Sequence, residues 1–203
     1  MRKTFVVLAA LSMACGAMAS MTYDNQAAFL GAIESGYYLE DFGTPATSYI
    51  APAVFTDGTY AWSAAAGDDL YIWGSDYAGG TPCVGSMGTN GAGYEITFTF
   101  SGAPVTAFGG NLYLTDQYFD PVAGEVTIAL NDGTSVTLDS PYATSFTGFT
   151  SDVPITSVTM TPDPSSTINL YGTVDSIIVG TAIPEPASLV LLGLGVLAML
   201  RRR

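Results

Sequence analysis

Between Tyr94 and Phe100 apolar and polar residues alternate: Tyr94, Ile96, Phe98 and Phe100 share one parity, Glu95, Thr97 and Thr99 the other. A two-residue period marks a strand with one buried face. The same reading predicts strands over residues 37–42, 59–65, 70–73, 105–114, 126–130, 135–138, 145–149, 155–160 and 174–179. Asn131-Asp132-Gly133-Thr134 separates two of these as a hairpin turn, and Gly109-Gly110 marks a bulge in the 105–114 segment. One helix is expected, with Asp24 as N-cap, residues 25–33 carrying Ala28, Phe29, Ala32 and Ile33 on one side, and Gly36 closing it. No helical periodicity follows in the body, which argues against a parallel α/β sheet. About ten short strands with turn residues between them predict an all-β fold. The expected form is a two-sheet antiparallel sandwich, jelly-roll-like, with one short N-terminal helix.

The two ends follow other patterns. Arg2 and Lys3 precede an apolar run over residues 5–14, and Ala17-Met18-Ala19 comes next. That order predicts a secretory leader over residues 1–19, cleaved between Ala19 and Ser20. Its apolar run is too short for a permanent span. Lipidation at Cys15 is disfavoured, because Leu11 stands one place too far upstream for a good lipobox. At the other end Pro184-Glu185-Pro186 precedes 14 uncharged residues, 187–200, and then Arg201, Arg202 and Arg203. As a transmembrane helix that stretch covers ~21 Å, against a hydrocarbon core of about 30 Å. It reads as a short anchor whose arginines stay on the cytoplasmic side, leaving the body, residues 20–182, outside.

This end resembles the PEP-CTERM sorting signal of Gram-negative bacteria. Pro184-Glu185-Pro186 matches the motif, residues 187–200 the helix, and the three arginines the basic cluster, so that residues 183–203 form the tail. The resemblance implies an exosortase-type membrane enzyme as partner, processing near the motif and an inner-membrane intermediate. The final place would be the cell surface or the extracellular matrix. An ordinary C-terminal anchor is the alternative. The body also resembles the β-sandwich of many such proteins. Pro104-Val105-Thr106-Ala107-Phe108-Gly109, the Asp132-Gly133 hairpin, Gly148-Phe149 and Val174-Asp175-Ser176-Ile177 recur there in that order. That likeness implies a sandwich and no particular activity.

Charge narrows the chemistry. All five Lys and Arg sit at the two ends, the chain has no His, and all 18 Asp and Glu lie within residues 4–200. Such a body cannot neutralise phosphates, which excludes nucleic acid as a partner, and anionic lipid should repel it. Ser-His-Asp, Cys-His and Lys Schiff-base mechanisms lack their residues, and no P-loop or dinucleotide fingerprint is present. Zinc lacks ligands. Once the leader carrying Cys15 is gone, Cys83 stands alone in a Gly-rich stretch, without a disulfide partner or an activating base.

The carboxylates themselves need solvent, hydrogen bonds or a cation. The simplest reading is solubility outside the cell. The sharper one is calcium, which takes oxygen ligands in flexible geometry. Glu40 and Asp41 end the first strand and Asp175 lies in the last, so these three are the first candidates. Asp116 with Asp120, and Asp68-Asp69, come next. Tyr60, Trp62, Tyr71, Trp73 and Tyr77 cluster among Gly, Ser and Asp, and Trp62 and Trp73 could stack on sugar rings. The functional expectation is an exported, non-catalytic structural or interaction protein. The alternative is a carbohydrate-binding module acting on exopolysaccharide. A glycoside hydrolase, which needs only paired carboxylates, is third.

Processing is directly testable. Mass spectrometry of the protein from its native host should find a mature chain starting at Ser20 and lacking the arginine tail. Replacing Pro184, Glu185 and Pro186 with Ala should leave a membrane-bound form. An intact Arg203 in most of the mature material would rule out tail removal.

Overall fold

The computed structural model describes residues 20–42, 48–50, 54–74, 85–89, 93–139, 144–166 and 168–184. It is all-β, with two antiparallel sheets and one helix among these residues. The strands are β1 (Met21–Tyr23), β2 (Tyr38–Glu40), β3 (Ser48–Ile50), β4 (Val54–Thr56), β5 (Tyr60–Ala66), β6 (Leu70–Gly74) and β7 (Gly85–Thr89). They continue with β8 (Ile96–Gly102), β9 (Ala107–Thr115), β10 (Glu125–Leu130), β11 (Ser135–Asp139), β12 (Phe146–Thr150), β13 (Ser157–Pro162) and β14 (Tyr171–Gly180). Helix α1 (Gln26–Gly31) lies between β1 and β2. One sheet has the order β1-β12-β9-β14-β7-β6-β3, with β2 also on β14; the other runs β11-β10-β13-β8-β5-β4.

The alternation read in the sequence points inward from both sheets. Trp62, Ile96, Phe98, Val126, Ile128, Val158 and Met160 come from the six-stranded sheet. Ile72, Met87, Phe108, Leu112, Leu114, Phe149 and Val174 come from the other, and all join one buried cluster. Phe98 of one sheet meets Phe108 of the other at 5.4 Å between ring centroids. The expected hairpin closes at Asn131-Asp132-Gly133-Thr134. Leu130 N donates to Thr134 O at 2.8 Å, Gly133 takes φ +91°, and Thr134 N donates to Asp132 Oδ1 at 2.8 Å.

A second apolar cluster lies on the outer face of the larger sheet, where Phe29 of α1 and Ile33, just after it, pack against Ala107, Phe146 and Ile178. The sheet makes room with two glycines in direct register, Gly109 of β9 and Gly148 of β12. A Cβ on Gly148 would stand 2.7 Å from Phe29 Cδ2 and 2.8 Å from Phe146 Cε1. The helix is shorter than predicted, and its cap shifts by one residue: Asn25, not Asp24, is the N-cap, accepting from Ala28 N at 3.0 Å. Asn25 holds the extended conformation that an N-cap needs, at φ −136° and ψ 124°.

The expected bulge is present in this ladder, but on the partner strand. Asp175 pairs with Asn111 and Ile178 with Gly109, so β14 carries the extra residue opposite Gly110. Ser176 sits there at φ 55°. The bulge falls where β14 changes neighbours, since Thr173 and Val174 pair with β7 whereas Ile177, Ile178 and Val179 pair with β2.

Phe29→Ala should lower unfolding free energy by roughly 3–5 kcal/mol, the usual range for a buried Phe. Gly148→Ala should cost about 1–3 kcal/mol from overpacking. Because the missing ring vacates the space that the new methyl needs, the double variant should lose less than the sum. Urea unfolding of the four proteins measures this; strict additivity would mean that Phe29 does not rest on Gly148.

Candidate functional site

The outer face of the larger sheet carries the two polar features that stand out. The first is the notch at the β14 bulge. Adjacency of β2 and β14 brings Glu40 into register with Ile177, so the two strands that carry the candidate carboxylates are neighbours, although β1, not β2, is the first strand. They do not pool their oxygens, however. Glu40 Oε1 accepts from Phe42 N at 3.0 Å and its Oε2 from the Tyr38 hydroxyl. Phe42, at φ 51°, turns the chain back toward Glu40. Burial, then the bond to Glu40 and its charge, raise the Tyr38 hydroxyl well above the ordinary tyrosine value.

Asp175 is almost wholly buried, at 6 % exposure. The Ser176 hydroxyl donates to its Oδ1 at 3.0 Å. Burial raises its carboxyl above the ordinary value of 3.8; bonds from Ser176 and Asn111 oppose the rise, and the charge of Asp41 adds to it. Among the described residues no group of three or more Asp, Glu, Cys or His is placed to hold a metal ion. The other oxygen pairs are turn-formers. Asp116 Oδ1 accepts from Tyr118 N at 2.7 Å and Asp120 N at 3.1 Å, and Asp68 Oδ1 accepts from Asp69 N at 2.8 Å.

The second feature is an open groove of about 810 Å³ on the other side of Asn111. Asp24, Asn25 and Gln26 enter it from the start of α1, Thr137, Leu138 and Asp139 from edge strand β11, and Thr144 to Thr147 from the approach to β12. The lining is thus two carboxylates, three amides and several hydroxyls, with Leu138 and Phe146 as apolar floor. This mixture suits a neutral ligand rich in hydroxyl groups. Carboxylates accept paired O–H bonds, and amides both donate and accept. The sequence reading missed this site because its parts come from four separate segments. One local signal existed: Asn111 interrupts the apolar run of β9.

The expected aromatic platform is corrected at Trp62. Trp62 is fully buried. It stacks on Phe55 at 4.2 Å and 18°, meets Phe42 edge-on at 6.4 Å, and lies 5.9 Å from Phe98. Alternation in β5 turns it to the face that meets the opposite sheet, so it cannot stack on a sugar. Its Nε1 is buried without a hydrogen-bond partner. Tyr60 is buried too, its hydroxyl 2.8 Å from Thr181 Oγ1. Trp73 pairs with Ser86 through the backbone, and its side chain lies outside what the structure describes. Tyr77 and Cys83 lie outside the described residues, as do Ala17 and Ala19 of the leader site. Ser20 is described, and its hydroxyl donates to Asp132 Oδ2 at 2.6 Å.

At the C-terminal end the body holds the chain as far as Ile183, whose N donates to Ala32 O at 2.9 Å, and Pro184 is exposed. Glu185, Pro186, Arg201, Arg202 and Arg203 lie outside the described residues, as does the expected membrane helix. No described helix is long and apolar enough to cross a membrane. Residues 182–203 match the family model of the PEP-CTERM protein-sorting motif. No curated protein matches the chain.

Asp175 binds its proton more tightly in the folded than in the unfolded chain. Its contribution is therefore fully present below pH ~4 and is lost as pH rises through the raised native value. Asp175→Asn keeps the acceptor used by Ser176 and removes the buried charge. The variant should melt higher than wild type at pH 7, with the gap closing toward pH 4. A gap independent of pH would show that the native carboxyl is not raised.

Proposed function

We propose that this exported protein, carrying an exosortase-recognised PEP-CTERM motif, serves as a non-catalytic interaction module at the cell surface or in the extracellular matrix. The sorting motif at residues 182–203 carries the reading, since it implies a secreted protein that passes through a membrane-anchored intermediate. The body's construction agrees with this route. Among the described residues the last backbone bond to the body is at Ile183, just before Pro184-Glu185-Pro186. The body also offers no Lys, Arg or His for nucleophilic, Schiff-base or imidazole chemistry.

A second reading refines the first: a carbohydrate-binding module for exopolysaccharide. The polar groove favours it, through Asp24, Gln26, Asn111 and Asp139 beside Phe146. With Trp62 in the core, this reading rests on hydroxyl recognition from amides and carboxylates.

The processed, secreted protein should be applied to a glycan array beside Gln26→Ala and Asp139→Asn. On the sugar reading, wild type retains a neutral or basic polysaccharide, and each variant loses tenfold or more in affinity. Equal binding by all three proteins would remove the groove from the reading. Absence of any glycan bound would reject the carbohydrate module and leave the protein-interaction role.

A further inference from the structure

We propose that leader removal after Ala19 creates an ion pair between the new α-ammonium group of Ser20 and the Asp132 carboxylate, a maturation-dependent clasp between the two sheets. Ser20 immediately precedes β1, an edge strand of the larger sheet, and Asp132 lies in the turn joining β10 to β11 at the edge of the smaller one. These residues, 112 positions apart, already touch: Ser20 Oγ donates to Asp132 Oδ2 at 2.6 Å. The nitrogen of a serine is three bonds from its Oγ, about 3–4 Å away in any staggered rotamer. The new ammonium group therefore falls within or near the ~4–6 Å range in which opposite charges perturb each other's ionisation.

Both sides of the pair are held in place. The Asp132 carboxylate is fixed by its second oxygen, which accepts from Thr134 N at 2.8 Å. The Ser20 side is fixed by β1, where Met21, Thr22 and Tyr23 pair with Thr150, Phe149 and Gly148, and by the Tyr23 hydroxyl, 3.3 Å from Thr150 Oγ1. Around the contact, Met21 and Thr150 carry no charge. Asn131 Oδ1 is occupied by Thr156 N at 2.8 Å and Ser157 N at 3.4 Å. The Ser20 bond also lowers the Asp132 carboxyl below its ordinary value, so the anion is present at neutral pH.

Composition makes this contact different from an ordinary surface ion pair. In the precursor the Ser20 nitrogen is a neutral amide. After cleavage it becomes a cation in a body whose residues 20–182 contain no Lys, Arg or His. Once the tail is removed, no other cation competes for Asp132.

The same composition supplies the test, because the only lysine is Lys3 of the leader and the processed body has a single amine. The full chain is expressed in an exporting bacterium, and the processed product is collected and its N-terminal peptide identified by mass. Reductive ¹³C-methylation then places one label on the α-amine, which is titrated by NMR. The expected result is a Ser20 amine titrating about one unit above the ordinary 7.7–8.0, falling toward that range in Asp132→Asn. Asp163→Asn, at another turn, should shift it much less. The side-chain amide introduced by Asp132→Asn retains an acceptor for Thr134 N, which favours a folded variant; should it not fold, the wild-type titration decides alone. An amine at the ordinary value, an equal shift in both variants, or a processed chain starting elsewhere than Ser20 would overturn the clasp.

Discussion

Seventeen of the eighteen carboxylates lie in residues 20–182, where no side chain is basic, so no side-chain ion pair can offset them. The turns provide the main answer. Asp57, Asp116, Asp132 and Asp163 each direct Oδ1 at a backbone N–H two residues on, at Thr59, Tyr118, Thr134 and Ser165, over 2.7–2.8 Å. An aspartate that closes its own turn satisfies an orphan amide and stays in water, where neighbouring charges are screened within about 10 Å. Hydroxyls serve others. Glu95 accepts from Thr97 and Thr161, and Glu40 from Tyr38. Acidity is therefore part of how the strands are connected, as well as a surface property.

Asp175 departs from that pattern, and the sheet explains why. β14 is flanked by β9 along one side, but on the other by β7 and then β2. Two partners in succession on one edge leave a junction, and the bulge at Asp175 and Ser176 fills it. A residue held at φ 55° lets Ser176 reach back to Asp175. The cost is a carboxyl turned into a nearly closed environment, with only a serine and an asparagine to offset its lost hydration. Asn111 stands at this junction and also lines the groove on its far side. The polar centre of the outer face thus follows from one irregularity in strand pairing.

Much of the body was readable from periodicity, since burial on one face imposes a strict period of two. β8, β10 and β11 lie within two residues of their predicted bounds, because alternation and a turn with Gly at positive φ fix both strand and register. β1, β3, β4 and β7 were not read. Three of them have only three residues, and β7 (Gly85–Thr89) carries two glycines where a strand would show branched side chains. The error over Trp62 has a different origin. Alternation assigns it a parity, but which parity faces the second sheet depends on packing between strands far apart in sequence. The bulge shows the same limit: paired glycines flagged the place, yet only the register could say which strand carries the extra residue.

The two ends of the body are secured differently from the strands between them. At the start, Ser20 reaches the opposite sheet through Asp132. At the finish, Glu34 N to Thr181 O, Ala182 N to Thr106 Oγ1, and Ile183 N to Ala32 O bind the chain to the end of α1 and to β9's approach. These bonds stop one residue before the sorting motif's exposed Pro184. Among the described residues the bonded chain ends just before Pro184, so a cut beyond Pro184 would leave each of these bonds in the body. The expected leader cut, before Ser20, would likewise leave β1 whole, since that strand begins at Met21. A cut before Ser20 and one beyond Pro184 therefore both spare the bonds that hold the two ends of the body.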